Sequence, residues 1–229
     1  MSELENHFKH CIFNTRIAFV DARQCERGVF ATKDIAIGEY ILRMPLSDVI
    51  IGTKNEVTKK LMESNTVYVR SLPYSTSNFP VTWNENMLIW LKDSAIRPMI
   101  SSRKQSLLRE NTDGKDSMFL HYRLLVGSRA FAFNDKLIGM VPYGDMLNHS
   151  NDPNISWKFT DKHFVMRATK NIKKGQQCFD SYGTKTNYES SLFYGMTMDD
   201  WKANHQTDAS SAQQSDFKQA FAQNVTDKS

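Results

Sequence analysis

Val141-Pro-Tyr-Gly-Asp-Met-Leu-Asn-His-Ser150 sets Asn148 and His149 in an otherwise apolar frame. Taken singly, the two side chains read as hydrogen-bonded loop caps. A lone histidine is more often structural than a ligand, and no partner stands at metal-ligand spacing from it. Just upstream, Gly127-Ser-Arg-Ala-Phe131 closes a helix expected from about Ser117 to Ala130, with Phe119, Tyr122, Leu125 and Val126 on one face. An arginine at such an exit is commonly a solvated surface residue. It is also the side chain best shaped to hold a carboxylate through two parallel bonds. Downstream, Asn148–Asn154 reads as a polar loop, and Ile155-Ser-Trp-Lys-Phe159 and Phe164-Val-Met-Arg-Ala168 alternate as strands. Lys174-Gly175 suits a turn and Cys178–Tyr182 another short strand. Asp180-Ser-Tyr-Gly183, Asn187 and Phe193-Tyr-Gly195 follow.

Towards the N-terminus, Asn14–Pro45 reads as short strands separated by turns. They are Ile17–Val20, Gly28–Ala31 and Tyr40–Met44, punctuated by Gly28 and Gly38. Between these β-rich ends, Lys54–Val126 changes character. Asn55–Glu63 and Asn86–Lys92 space apolar residues three and four apart, as helices do. Leu72–Pro80 is a loop, because its prolines remove two backbone donors. The expected organisation is therefore a β-rich half over 1–53, a mostly helical insert over 54–127, a second β-rich half over 128–200, and a flexible tail over 201–229. The tail is rich in Gln, Ser, Asp and Ala.

Composition sets outer bounds. Of 229 residues, 40% are hydrophobic and 24% charged, which excludes general disorder and a fibrous fold. The net charge of +4 is spread along the chain, so it permits a nucleic-acid partner without arguing for one. Cys11, Cys25 and Cys178 lie far apart, giving neither a disulfide framework nor a zinc ligand set, and suiting a reducing compartment. The polar, acidic N-terminus lacks signal- or transit-peptide character, and no apolar run approaches the ~18 residues of a membrane span. The expected address is cytoplasm or nucleus.

Each segment alone is weak, but their order and spacing are specific. Together they resemble the SET-domain methyltransferases, in particular the branch holding the rubisco and ribosomal-protein lysine methyltransferases and the actin-histidine methyltransferases. An R-G-x-x-A-x-x-x-I-x-x-G-E opening is matched from Arg27 to Glu39. A helical insert with an S-R-A-F exit follows, then P-x-x-D-x-x-N-H-S, then Y-G-x-x-x-N ending in Tyr194-Gly195. The likeness spans roughly Ile17 to Met196. It implies a mainly β (α+β) SET fold of small sheets, with a C-terminal pseudoknot and a helical inserted subdomain. Threading of that kind leaves no mark on sequence periodicity.

The resemblance also implies S-adenosylmethionine as cofactor and no metal. Glu26, Gly28 and Phe30 would cradle the cofactor, Arg129 would pair with its carboxylate, and Asp145, Asn148 and His149 would hold its amino-acid and adenine portions. Tyr182 would stand at the methyl-transfer channel as the catalytic residue and touch the cofactor, with Phe131, Trp157 and Tyr194 as channel walls. The expected partner is a lysine of a non-histone protein substrate, met by a monomer, with no nucleic acid and no membrane. Histidine-methylating members carry asparagine where this chain has Phe131, which favours lysine. A protein-histidine methyltransferase and a SET-like module that binds without catalysis are the alternatives. Gly175-Gln-Gln177 replaces the branch's G-E-E, a change that bears on strand packing. The chain ends about thirty residues after Met196, where branch members continue into a substrate-gripping helical domain, so it reads as a minimal form or a fragment.

Overall fold

The computed structural model describes residues 2–21, 26–111, 114 and 116–195. The expected tail and Cys25 lie outside these. The chain divides into two compact units, residues 2–72 with 129–183 and residues 73–128 with 184–195. Of the expected helical insert, residues 54–72 thus belong with the first unit and 73–128 with the second.

The first unit holds three small sheets. In one, β1 (Thr15–Asp21), β2 (Glu26–Ala31), β10 (Gln177–Asp180) and β7 (Asn148–His149) lie side by side in that order. A second runs β3 (Tyr40–Pro45), β9 (His163–Ala168), β8 (Ile155–Phe159), and a third β4 (Ile50–Gly52), β6 (Ile138–Met140), β5 (Phe131–Ala132). In β2 the buried Val29 and Ala31 flank a half-exposed Phe30, the period of two that one covered face demands. In the middle strand β9, three consecutive residues, Phe164, Val165 and Met166, are buried, as a strand covered on both faces requires.

All pairings are antiparallel except β10 with β7, which run parallel with Phe179 opposite Asn148 and Asp180 opposite His149. The loop expected over Asn148–Asn154 therefore begins as a strand. Two residues are too few to show a period, so the sequence carries no sign of it. The rest of that loop laces over β10. Ser150 N–H donates to Asp180 O at 2.9 Å and Asn154 N–H to Phe179 O at 3.2 Å. The Asn154 amide donates to Gln177 O at 2.9 Å and accepts from Phe179 N–H at 2.8 Å.

Among the described residues, three α-helices complete this unit. In α1 (Glu3–His7) Ser2 and Glu5 form a capping box, and the second Glu5 oxygen accepts the Ile17 N–H at 2.7 Å, closing part of the free edge of β1. α2 (Lys54–Glu63) starts on the same device, Thr53 with Glu56. α3 (Val67–Ser71) is capped by Thr66.

The second unit is helical. α4 (Glu85–Leu88) runs into a 3-10 turn over Ile89–Leu91, and α5 (Ile96–Arg109), α6 (Asp116–Arg129, its last residue in the first unit) and α7 (Asn187–Tyr194) follow. They enclose a core of Trp83, Leu91, Ile96, Ile100, Leu124 and Leu192. The sequence does not announce α5, because Pro98 reads as a breaker. In the first turn, however, its missing N–H has no partner to lose. Gly195 takes the left-handed conformation, φ 64°, that ends α7, and its carbonyl accepts the Asn78 amide at 3.0 Å.

Candidate functional site

The geometry starts at Tyr143. Its φ of 67° is strained for a residue with a bulky side chain. The ring is fully buried and the hydroxyl donates to Thr15 Oγ1 at 2.9 Å, which pins the chain in this conformation. The 3-10 turn Gly144–Met146 follows and carries the Asp145 side chain into the interior.

Asp145 is the centre of a buried polar cluster. Its Oδ2 accepts the Tyr68 hydroxyl at 3.0 Å and stands 3.7 Å from an Arg129 Nη, while its carbonyl accepts that same guanidinium at 2.8 Å. Its Oδ1 is buried without a partner among the described residues. Burial pushes the Asp145 carboxyl above the ordinary range, against the opposing pull of Arg129 and Tyr68. Arg27 donates to the Ser71 carbonyl at 3.0 Å, at the end of the helix that carries Tyr68. Its pKa is lowered, first by burial and then by repulsion from Arg129. Two guanidiniums thus share the field of one buried carboxylate.

The second focus is Tyr182. Its hydroxyl donates to Leu147 O at 2.7 Å and its N–H donates to His149 Nδ1 at 2.9 Å. A main-chain donor on Nδ1 leaves the neutral imidazole its proton on Nε2, which faces Asn151 Oδ1 at 3.3 Å. The two rings lie 5.2 Å apart, tilted by 38°. Asn148 sits between these foci, under β2. A Cβ added to Gly28 would stand 3.1 Å from Asn148 Nδ2 and overlap the Gln177 amide, so a side chain here would have to displace Gln177. Arg129 and Tyr182, distant in sequence, therefore both bond to the single segment Asp145–His149, which carries Asn148.

The other expected site residues fall as follows. Phe30 lies opposite Gln177, and Glu26 begins β2, opposite Asp21. Phe131 is buried, its ring 5.1 Å from Trp157 and 4.8 Å from Phe164, within an aromatic cluster that also takes in Phe159. Tyr194 ends α7 in the second unit. Reading residues in sequence missed Tyr68, Arg27 as a charge beside Asp145, and the Leu147 carbonyl. Tyr68 sits in a five-residue helix with too few turns for a period, and a carbonyl acceptor has no residue type to betray it.

A SET domain family model matches residues 26–183. The chain belongs to the SET-domain family. A second model, a protein family of unknown function (DUF1244), matches residues 177–219. The N-lysine methyltransferase setd6 of Salmo salar is 35% identical over 57 residues, 25% of this chain and 13% of its own length. Its counterpart in Xenopus laevis is 23% identical over 227 residues, 73% of this chain and 50% of its own length. The chain spans half or less of the length of these relatives. Among solved structures, rubisco LSMT bound to AdoMet superposes with a TM-score of 0.72 at 20% identity, over 87% of this chain and 57% of that one. The SET domain of LSMT bound to lysine and AdoHcy gives 0.70 at 20% identity, over 86% and 56%. The expected SET fold of small sheets with helices is the fold observed.

Proposed function

We propose that this chain is an S-adenosylmethionine-dependent protein methyltransferase whose acceptor is a lysine amine. The observation that carries the reading is that Arg129 and Tyr182 both bond to the segment Asp145–His149, which holds Asn148. The residues present suit the cofactor on two counts. An orphaned carboxylate oxygen on Asp145 beside the Arg129 guanidinium complements the two charges of an amino-acid zwitterion. The second is the Gln177 Nε2, buried without a partner among the described residues, which fills the place of the missing Gly28 Cβ beside Asn148. Arg129 would hold the carboxylate, Asp145 and Asn148 the rest of the amino-acid portion, and β2 at Glu26, Gly28 and Phe30 with His149 the nucleoside end. The cofactor, when bound, supplies an electrophilic methyl group on a sulfonium.

Methyl transfer is an in-line displacement, so the protein's work is positioning and charge management. Tyr182 commits its only hydrogen to Leu147, which leaves the phenol oxygen to accept from an amine N–H and aim the nitrogen lone pair. With its hydrogen held by Leu147, the part of the phenol is orientation rather than proton removal. Neutralising a lysine with a pKa near 10.4 at about pH 7.4 costs roughly 4 kcal/mol. An apolar channel and the adjacent sulfonium both reduce that cost. Phe131, packed among aromatic rings, offers an imidazole no hydrogen bond, which favours lysine over histidine. The lysine methyltransferase names of the relatives support the same choice.

The test is transfer of labelled methyl groups to proteins of a cell lysate, followed by mass spectrometry of the modified residue. Methyl-lysine formed by the wild type, and lost in Tyr182→Phe while cofactor binding persists, is the expected result. Cofactor binding without transfer by the wild type would favour a non-catalytic binding module, and methyl-histidine would reverse the choice of acceptor.

A further inference from the structure

The buried stripe of α5 runs Ile96, Ile100, Leu107, and Arg103 stands on it, one turn from both Ile100 and Leu107. A guanidinium in that place is expensive unless its donors are met. They are poorly met. Arg103 Nε is buried with no partner among the described residues, and the Cζ sits 4.0 Å above the Phe193 ring. Across from it, α6 presents Arg123, whose side chain is only 8% exposed and whose Nε donates to Glu110 Oε2 at 2.9 Å. The Cβ position of Gly127, one turn beyond Arg123, is 3.8 Å from Arg103 Nη2 and 3.8 Å from Arg123 Nη1. Two guanidinium edges therefore converge on one spot that carries no side chain. Among the described residues, these three charged groups sum to one positive charge. Burial, and then Arg123, lower the Arg103 pKa to about 10, against a smaller opposing pull from Glu110.

We propose that Arg103 and Arg123, above Gly127, form a carboxylate-binding site in the second unit. One monoanion there cancels the excess charge, supplies acceptors to both Nη edges, and fits the planar fork that arginine presents. A dianionic phosphate would overshoot the charge once Glu110 is counted. The carboxylate comes either from an acidic side chain of a protein ligand or from a free small acid, and the chemistry of the site is the same for both. Lysine would not serve at either position, since it has no second parallel donor.

The test reads binding alone, so it stands apart from methyl transfer. The arginine Nε–H resonances of the whole protein are followed by NMR during titration with sodium acetate, with a glutamate-rich peptide, and with sodium chloride at matched ionic strength. The Arg103 resonance is expected to shift saturably with the first two and not with chloride. Arg103→Met should bind about tenfold more weakly, the loss expected for a charge-assisted bond. A peptide that saturates well below acetate assigns the carboxylate to a protein ligand, and equal saturation assigns it to a free acid. An Arg103 resonance indifferent to both carboxylates, or moved equally by chloride, overturns the proposal in the wild type, whatever the variant's stability.

Discussion

The Tyr182 phenol has one hydrogen to give, and Leu147 takes it at 2.7 Å. Removing the oxygen leaves the ring against His149 and deletes the acceptor for an incoming amine. Tyr182→Phe is therefore expected to lower kcat on the order of 100-fold, as for loss of one preorganised polar group. The Kd for S-adenosylmethionine should hardly change, and calorimetry beside steady-state kinetics separates the two. Tyr68 makes the opposite forecast. Its hydroxyl meets Asp145 Oδ2 inside the first unit, where the other carboxylate oxygen already lacks a partner. Tyr68→Phe would leave Asp145 less satisfied and Arg129 less firmly placed. About 1–3 kcal/mol of stability should be lost, and cofactor affinity should fall with kcat at saturation unchanged. A Tyr68→Phe protein with native cofactor affinity would show that Arg129 is placed without this bond.

At the level of elements, strands were legible where a period had room to show, and pairings were not. Trp157 and Phe159 alternate with the exposed Ser156 and Lys158 and mark β8 plainly. The two residues of β7 mark nothing, and their parallel partner lies some thirty positions downstream. Such a pair is held by long-range bonds, above all those of Asn154. That one amide serves both Gln177 O and Phe179 N–H, and Asn154→Ala abandons a part-buried main-chain donor as well as a carbonyl. The expected cost is about 2–3 kcal/mol, from two bonds each worth roughly 1 kcal/mol and the desolvated donor left behind. Hydrogen exchange at the Phe179 amide should accelerate far more than exchange in β3 or β9. Uniform acceleration throughout the first unit would mean that β10 has no separate opening and that Asn154 only sets global stability. The helices tell a parallel story, since apolar spacing over Asn55–Glu63 marks α2 in the sequence while Pro98 conceals the start of α5.

For the whole molecule, the sequence pointed to candidate residues rather than to their wiring. Arg129, Asn148 and Tyr182 were singled out as candidates from motif spacing, whereas the orphaned Asp145 oxygen and the Tyr68 contact exist only once separate segments fold together. The same holds for ionisation, which no residue type reveals. Asp180 sits in β10 opposite His149, 6% exposed, and burial raises its pKa from 3.8 to about 6 despite a bond from Ser181 N–H. The folded protein then holds a proton that the unfolded chain releases at lower pH, so this group makes stability fall as pH rises from about 4 to 6. Above that window the buried carboxylate costs the fold up to about 3 kcal/mol. Asp180→Asn keeps an oxygen for Ser181 N–H and removes the charge. In urea unfolding the variant should match the wild type near pH 4 and exceed it above pH 6 by up to about 3 kcal/mol. A pH-independent difference would show that Asp180 is solvated well enough to ionise without penalty.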